Sequence, residues 1–150
     1  MTEWQKERLE QLKNINKEKQ REKEIWGNEC FTECIQALGR QAIVFDNKTS
    51  EKLYYKFAKL VPIENYQIVW EDFVWFQEID DIDELIEICG NKRFYIIWGL
   101  DLPVIESNLN EILSSIYEIE VVSSDIWLFS EDFMFIQFYH EGDITVGKIR

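Results

Sequence analysis

The sequence predicts an α+β fold, a mostly antiparallel sheet with helices packed on it. Three observations lead to this prediction. The amino-terminal stretch is rich in Glu, Lys, Gln and Arg, which favour helix. Several shorter segments carry apolar residues at helical spacing. The last third consists of short apolar segments separated by polar turns, which is typical of strands. We therefore expect N-terminal helices and a C-terminal β-meander.

The composition predicts one domain. The chain has 150 residues, of which 46% are hydrophobic, so it can bury a core of ordinary size. We expect residues 1–150 to form a single domain, with a helical arm over residues 1–27 and a globular body over residues 28–150.

The amino terminus and the cysteines predict a cytoplasmic protein. Met1 is not followed by an apolar signal segment, and no apolar run approaches the roughly 18 residues of a membrane span. Three cysteines are an odd number, and Cys30 and Cys34 are at helical spacing, so a disulfide framework is not indicated.

The net charge of −13 argues against nucleic acid or an anionic membrane as the main ligand, because phosphate binding depends on Lys and Arg. Residues 1–27 hold six acids and seven bases, a net of +1, which leaves −14 for the rest. Between residues 64 and 147 the only bases are Lys92 and Arg93. An acidic body of this kind favours a basic protein partner.

The first predicted helix covers residues 3–24, which contain neither Gly nor Pro. Its narrow apolar stripe consists of Trp4, Leu12, Ile15 and Trp26. Two interpretations are open: a solvated helix that packs on the body through its tryptophans, or an arm that binds a partner or dimerises.

The second predicted helix begins at Asn28 as its N-cap and ends at Gly39. Cys30 and Cys34 lie on its apolar side. Metal ligation would need a second pair or a nearby histidine, and the sequence offers neither, so we expect core packing.

A short apolar strand is predicted over residues 42–45. A third helix then starts with Thr49 or Ser50 as its cap and runs through Leu60, because apolar and lysine positions alternate at helical spacing up to Pro62.

Residues 66–70 alternate as a strand does, while residues 72–77 are compatible with a second strand or a bulged extension. Asp80 or Asp81 is predicted to cap a short helix that ends at Gly90.

Residues 93–98 are a nearly continuous apolar run, which predicts a central strand buried on both faces. Pro103 suits the first turn of a helix, and the apolar residues from Val104 to Ile116 would give that helix its buried side. Strands are predicted over residues 118–122, 125–129, 133–140 and 143–149.

Catalytic motifs are scarce. His140 is the single histidine and lies beside a predicted turn, so we expect a surface residue without a catalytic role. A small hydrolase that uses His140 with Glu141 or Asp143 is a further alternative. The six glycines are scattered, so a phosphate-binding loop is not indicated. The sequence predicts no enzyme, no cofactor and no metal site.

Residues 64–91 are the most unusual part of the sequence, and we call them the acidic segment. They contain nine acids and no Lys or Arg. The acids are Glu64, Glu71, Asp72, Glu78, Asp80, Asp81, Asp83, Glu84 and Glu87. The large rings among them are Tyr66, Trp70, Phe73, Trp75 and Phe76. Because uncompensated like charge disfavours the compact state, the segment indicates a cationic partner.

The acids from Glu78 to Glu84 have three interpretations. They can cap a helix and face water, they can recognise a partner, or they can hold a divalent ion or act as acid and base. A calcium loop is not indicated, because no Gly follows until Gly90. Partner recognition is favoured by the aromatic rings, which anchor many interfaces. The predicted partner-binding residues are Glu71, Asp72, Trp75, Glu78, Asp80, Asp81, Asp83 and Glu84.

As a small, acidic, Trp-rich α+β protein with an Ile, Asn, Lys and Glu bias, the chain resembles the immunity proteins of bacterial polymorphic toxin systems, including those that neutralise LXG-type nuclease toxins. The resemblance implies a cytoplasmic antidote that binds the nuclease domain of its toxin and blocks the active site or the substrate groove. It carries over no site residue. The alternative is an acidic nucleic-acid mimic or adaptor that binds a cellular basic protein.

Overall fold

The computed structural model describes residues 2–26, 29–99 and 101–149, and for residues 16–26 it describes the backbone alone. The predicted cap at Asn28 lies outside the described residues. The helices within them are α1 (Glu3–Trp26), α2 (Glu29–Leu38), α3 (Asn47–Leu60), α4 (Glu84–Cys89), α5 (Leu109–Ser114) and α6 (Ile116–Val122). The strands are β1 (Ile43–Val44), β2 (Ile63–Glu64), β3 (Gln67–Ile68), β4 (Trp75–Ile79), β5 (Arg93–Ile97), β6 (Ile105–Asn108), β7 (Ile126–Phe129), β8 (Met134–Phe138) and β9 (Ile144–Lys148).

Seven strands form one antiparallel sheet in the order β1-β6-β5-β7-β8-β9-β4, and β2 with β3 forms a separate hairpin. The central pairings put Ile96 opposite Leu128, Leu128 opposite Ile136 and Ile136 opposite Val146. The α+β prediction is confirmed, as is the meander of β7, β8 and β9. Among the described strands, β4 pairs with β9 alone and forms an edge of the sheet.

Each face of the sheet carries its own core. One face packs against α2, α4, α5 and α6, and Ile96, Leu128 and Ile136 lie in that cluster. The other face packs against α3, whose Phe57 stacks on Phe129 with ring centroids 5.6 Å apart. Helices therefore cover both faces of the sheet.

The predicted helix from Val104 to Ile116 is wrong in its first half. Residues Ile105–Asn108 form β6, which lies between β1 and β5. Ile105 and Ser107 are buried while Glu106 is half-buried, which is the alternation of a strand. These residues form a strand because they can pair with β5, and this pairing outweighs their helical spacing. The helical spacing predicts the structure correctly only from Leu109 onward.

The predicted strand over residues 118–122 is also wrong, because these residues belong to α6. Ile116, Ile119 and Val122 recur at every third position and pack against the core, with Ile119 fully buried. The short alternating run was compatible with either period, and packing on α2 selects the helix.

The predicted strand over residues 66–70 is shorter than expected and belongs to the β2–β3 hairpin. Asn65 and Tyr66 form its turn, and both have positive φ angles, 52° and 64°. Of the undecided residues 72–77, the last three form the start of β4.

The cap of α3 is Asp46 and not Thr49 or Ser50. The Oδ1 of Asp46 accepts a hydrogen bond from the backbone N–H of Thr49 at 2.7 Å, and this bond lowers the pKa of the Asp46 carboxyl. Ser50 is buried, and its hydroxyl accepts from the N–H of Val104 at 2.9 Å, which ties α3 to the strand region.

The described side chains of the amino-terminal arm are exposed. Over residues 2–15 every side chain of α1 is exposed, and Trp4 has 71% of its surface exposed, so the predicted packing through Trp4 is not observed.

Cys34 is buried as predicted, and Cys30 is only half-buried. Burial raises the pKa of the Cys34 thiol to about 12, so this thiol stays protonated at neutral pH. Among the described helices, none has the length and apolar character needed to cross a membrane.

Tyr95 of β5 joins the β7–β8 turn to the sheet. Its hydroxyl donates a hydrogen bond to Glu131 at 2.5 Å, and Glu131 also pairs with Lys56 of α3 at 3.4 Å. The bond from Tyr95 is the main cause that lowers the pKa of Glu131 from its ordinary value of 4.5. A carboxyl with a lowered pKa stabilises the fold above pH 4.5, and this contribution is lost as pH falls through the folded pKa.

Replacing Tyr95 with Phe is therefore expected to destabilise the protein in a pH-dependent way. Because Glu131 is mostly exposed, the loss at pH 7 should be about 1 kcal/mol, at the low end for a bond to a charged group. At pH 3 the loss should be smaller, since part of the contribution disappears as pH falls below 4.5 toward the lowered pKa of folded Glu131. Urea unfolding at both pH values measures this, with the exposed Tyr55→Phe as control. Equal losses at pH 7 and pH 3 would contradict it.

Candidate functional site

The acidic segment runs along one edge of the sheet. Glu71 and Asp72 precede β4, and Glu78 lies within it. The remaining predicted partner-binding acids follow β4, and they are Asp80, Asp81, Asp83 and Glu84. Five residues in extended conformation span about 17 Å. The acids before β4 and those after it are therefore too far apart to contact one side chain of a partner, but close enough to contact one protein surface. The sheet edge thus sets the spacing of the carboxylates.

A tight turn before β4 presents the first two acids. The N–H of Phe73 donates to the carbonyl of Trp70 at 3.0 Å, which places Glu71 and Asp72 at the two central positions of the turn. Both acids are exposed. The rings on either side turn inward, since Trp70 and Phe73 pack against each other at 4.6 Å and Phe73 meets Phe135 of β8 at 5.7 Å.

Gly147 of β9 makes this packing possible. A Cβ added at Gly147 would lie 2.8 Å from the ring of Trp70, 2.9 Å from the carbonyl oxygen of Trp75 and 3.0 Å from the ring of Phe73. These distances are too short for any side chain, so only glycine lets the two rings lie directly on the strand. The turn that carries Glu71 and Asp72 is therefore positioned from beneath by β9.

A second turn presents the acids after β4. Asp81 does not cap α4 as predicted; its Oδ1 accepts from the N–H of Asp83 at 3.0 Å, and Asp83 occupies the cap position without a side-chain bond. α4 is held by Leu85, which is fully buried. Asp80, Asp81 and Asp83 are exposed and Glu84 is half-buried, so three of these four carboxylates face water fully.

The rings of β4 point to opposite faces of the sheet. Trp75 is half-buried and packs against the core cluster that contains Ile79. Phe76 points the other way, lies 6.1 Å from Trp70 in a stacked arrangement and keeps 49% of its surface exposed. The exposed rings of the segment are thus Phe76 and Tyr66, which the sequence prediction did not place among the partner-binding residues. The two-residue period counted back from the apolar Ile79 was the one signal for the inward side of Trp75.

In the part of the chain whose side chains are described, the carboxylates of the acidic segment have no counter-charge within ion-pair distance. Within the described residues, none of the nine forms an ion pair with a Lys or Arg side chain. Both bases that lie between residues 64 and 147 are engaged elsewhere, Lys92 with Asp132 at 2.5 Å and Arg93 with Glu106 at 3.1 Å. The negative charge of this edge is therefore open to an external partner.

The described ranges contain no group of three or more His, Cys, Asp or Glu side chains arranged to hold a metal ion. His140 contacts a carboxylate, but that carboxylate is Asp125 and neither Glu141 nor Asp143. Its Nδ1 lies 3.0 Å from Oδ1 of Asp125, which also accepts the His140 backbone N–H at 3.1 Å. No serine or cysteine side chain bonds to His140 in the described part of the chain, so the pair lacks a nucleophile.

A family model described as CdiI immunity protein EcoliA0-like matches residues 28–147. The chain belongs to the CdiI immunity protein family. It is thus an immunity protein of a contact-dependent inhibition toxin, and its partner is that cognate toxin. The predicted resemblance to small toxin-system immunity proteins is confirmed at this level. The match does not extend to the LXG type of toxin, which stays a prediction. Among curated proteins, none matches the sequence.

The acidic segment lies within the part of the chain that the family model matches, since residues 64–91 lie inside residues 28–147. α1 ends at Trp26 and lies outside the matched residues. The two turns around β4 and all of the sheet except Lys148 therefore lie within the matched residues.

Substituting Gly147 with Ala tests the support of the first acidic turn. Because the added methyl group meets two rings and a backbone oxygen, we expect a loss of about 2 kcal/mol in the free energy of unfolding, as for other overpacked positions. The fluorescence of Trp70 should change as its ring is displaced. Urea unfolding followed by tryptophan fluorescence measures both, with Ser124→Ala at an exposed turn as control. Unchanged stability would contradict the close packing.

Proposed function

We propose that this CdiI immunity protein neutralises a cationic toxin domain, a nuclease, by binding it through the carboxylates along β4. The proposed contact residues are Glu71, Asp72, Trp75, Glu78, Asp80, Asp81, Asp83 and Glu84. The protein acts as a stoichiometric inhibitor and not as an enzyme. Its proposed location is the cytoplasm, where a nuclease finds its substrate.

The observation that carries the proposal is the absence of internal counter-charges for the acidic segment in the described structure. Lys92 and Arg93 are paired with acids outside the segment. Carboxylates that are fixed on rigid turns and left unpaired attract a basic surface and orient it before contact. If the acids served only to cap a helix and to face water, the segment would not need to exclude Lys and Arg, and it would not need two turns anchored to the sheet.

The nuclease class follows from the charge of the surface. A domain that holds the phosphates of DNA or RNA lines its groove with Lys and Arg. Carboxylates at both ends of a strand of about 17 Å can occupy the positions of several phosphates at once. Binding of this kind excludes the substrate, whether it covers the catalytic residues or the neighbouring groove.

The aromatic rings supply contact area around the charges. Phe76 is exposed beside Glu78 on the same strand, and Trp75 presents the part of its ring that the core leaves uncovered. Because β4 is an edge strand, both faces can be reached from the same side by one partner. Rings at the centre of such a surface carry much of the affinity, while the surrounding carboxylates mainly govern the rate of association.

The adaptor alternative assigns the same surface to a cellular basic protein. A neighbouring gene for a long toxin that ends in a basic nuclease domain is required by the immunity proposal and not by the adaptor. A pull-down from the source cell with the tagged chain, read by mass spectrometry, identifies the partner directly. Recovery of an acidic or membrane-inserting toxin domain would contradict the nuclease proposal.

Charge reversal in the acidic segment is expected to slow association with the toxin recovered in that pull-down. The variant Glu71→Lys, Asp72→Lys, Asp80→Lys changes three exposed residues without removing a packed side chain. At low salt the association rate should fall at least tenfold, and the deficit should shrink as salt rises, because salt screens exposed charges. The thermal midpoint should stay within about 2 °C, as expected for surface substitutions. Binding kinetics at several salt concentrations measure this.

A matched control changes the net charge equally at other exposed positions, with Glu33→Lys, Glu51→Lys and Glu120→Lys on α2, α3 and α6. This control should associate at close to the wild-type rate. If both triple variants slow association equally, net charge alone is responsible and the proposed surface is wrong. Full protection of cells by the first variant would also contradict the proposal.

A further inference from the structure

A cleft of about 660 Å³ lies beside the β2–β3 hairpin. α3 forms one wall, the hairpin forms another, and the ends of β5 and β7 close the floor. Among its lining residues are Tyr54, Tyr66, Trp98, Trp127 and Asp125. None of the lining residues is Lys or Arg, and Asp125 is the one with a formal charge. The cleft thus combines aromatic walls with a single carboxylate.

Tyr66 at the rim is held in an unfavourable backbone conformation. Asn65 and Tyr66 occupy the two central positions of the hairpin turn with φ angles of 52° and 64°. Turns of this kind favour Asn followed by Gly, and a bulky residue at the second position is strained. A tyrosine that keeps 67% of its surface exposed gains little from packing in return. Backbone strain that local packing does not compensate is typical of a functional position.

The hairpin is anchored so that the rim is rigid. The buried Gln137 accepts two hydrogen bonds at its Oε1, one from the N–H of Ile68 at 2.6 Å and one from the indole N–H of Trp127 at 3.1 Å. The N–H of Val69 donates to the carbonyl of Pro62 at 2.9 Å across the base of the hairpin. Tyr66 is therefore presented at a fixed place and needs little ordering when a partner binds.

The chemistry of the lining selects a cation. The indole N–H of Trp127 is used by Gln137, and that of Trp98 donates to the carbonyl of Ile119 at 3.1 Å, so neither is available for an anion. Both indoles are buried, so the rings that can offer a π face to a Lys or Arg side chain are those of the exposed Tyr66 and the half-buried Tyr54. Oδ1 of Asp125 is held by His140, and within the described residues Oδ2 has no hydrogen-bond partner. A fixed carboxylate among aromatic rings matches a basic side chain in charge and in shape.

We propose that the cleft receives a Lys or Arg side chain from a loop of the cognate toxin, with the cation stacked against Tyr66 and paired with Asp125. The proposal rests on the toxin being the partner and adds a second contact to the edge surface. The hairpin leads through Val69 and Trp70 directly into the turn that carries Glu71 and Asp72. One toxin domain can therefore contact the cleft and the acidic edge together.

Two single variants test the cleft against the toxin recovered by pull-down. Tyr66→Gly removes the ring and relieves the positive φ, so we expect the dissociation constant to rise at least tenfold while the thermal midpoint does not fall. Asp125→Asn removes the charge and keeps an oxygen that accepts from the His140 N–H, and it should also raise the dissociation constant at least tenfold. Titration calorimetry and thermal unfolding measure the two effects.

Matched controls remove the same groups elsewhere. Tyr117→Ala takes away another exposed tyrosine, on α6, and Asp143→Asn neutralises an exposed aspartate next to a turn, whereas Asp125 is half-buried. Both should bind like the wild type. A cycle that combines Asp125→Asn with alanine variants of the toxin's exposed Lys and Arg residues should single out one basic residue, whose loss has no further effect once Asp125 is neutral.

The outcomes separate the cleft from the edge surface. If the triple charge reversal slows association but both cleft variants bind normally, the cleft proposal is overturned and the proposed function stands. If only the cleft variants weaken binding, the edge surface is overturned and the cleft is supported. A loss of affinity for Tyr66→Gly with normal affinity for Asp125→Asn overturns the basic occupant, as does the absence of any coupled basic residue in the toxin.

Discussion

The position of the acidic segment depends on one close contact, the packing of Trp70 and Phe73 on the bare backbone of Gly147. β9 pairs with β8 on one side and with β4 on the other. Because Gly147 has no side chain, two aromatic rings can pack directly on β9 near the edge of the sheet. The rings bind the turn before β4 to the core through Phe135. Exposed carboxylates are thereby fixed by buried aromatic packing, and among the described side chains no ion pair with a base contributes to their arrangement.

The charge held at this edge is tolerable because its members are exposed. Two like charges 10 Å apart in water repel by only about 0.4 kcal/mol, and physiological salt screens most of that. The repulsion within the segment is therefore too small to require a partner for folding, contrary to the expectation from the sequence. The attractions between these carboxylates and a basic surface are individually weak, but they add together and act over a distance. They therefore accelerate the encounter more than they strengthen the final complex. Affinity then requires desolvated contacts, which the exposed rings of Phe76 and Tyr66 can provide.

Much of the fold can be predicted from the sequence, and the limits have physical causes. The apolar run of β5 and the strands of the C-terminal meander are predicted correctly, because burial on both faces leaves a clear pattern. β6 is not predicted, because Ile105–Asn108 is a strand through its pairing with β5, which is a contact between segments distant from the local pattern. α6 is not predicted, because a short alternating segment fits either period until it packs on α2.

The candidate site divides in the same way. The carboxylates and the absence of bases can be read directly, and their exposure follows from polarity. The side of the sheet on which Trp75 or Phe76 lies depends on the register of β4, which the sequence leaves open. The cleft joins α3, a hairpin and the start of β7, and the contact of Asp125 with His140 crosses a strand pair. Arrangements of this kind arise from the topology and have no local signal.

Hydrogen–deuterium exchange of the immunity protein, measured alone and in complex with its toxin, tests the central claim most directly. If the carboxylates along β4 meet the toxin, the largest protection on binding lies in residues 64–91, with the turn at Glu71 and Asp72 and the exposed edge of β4 foremost. Protection confined to α1, or to α5 and α6, with residues 64–91 exchanging as in the free protein, would contradict it.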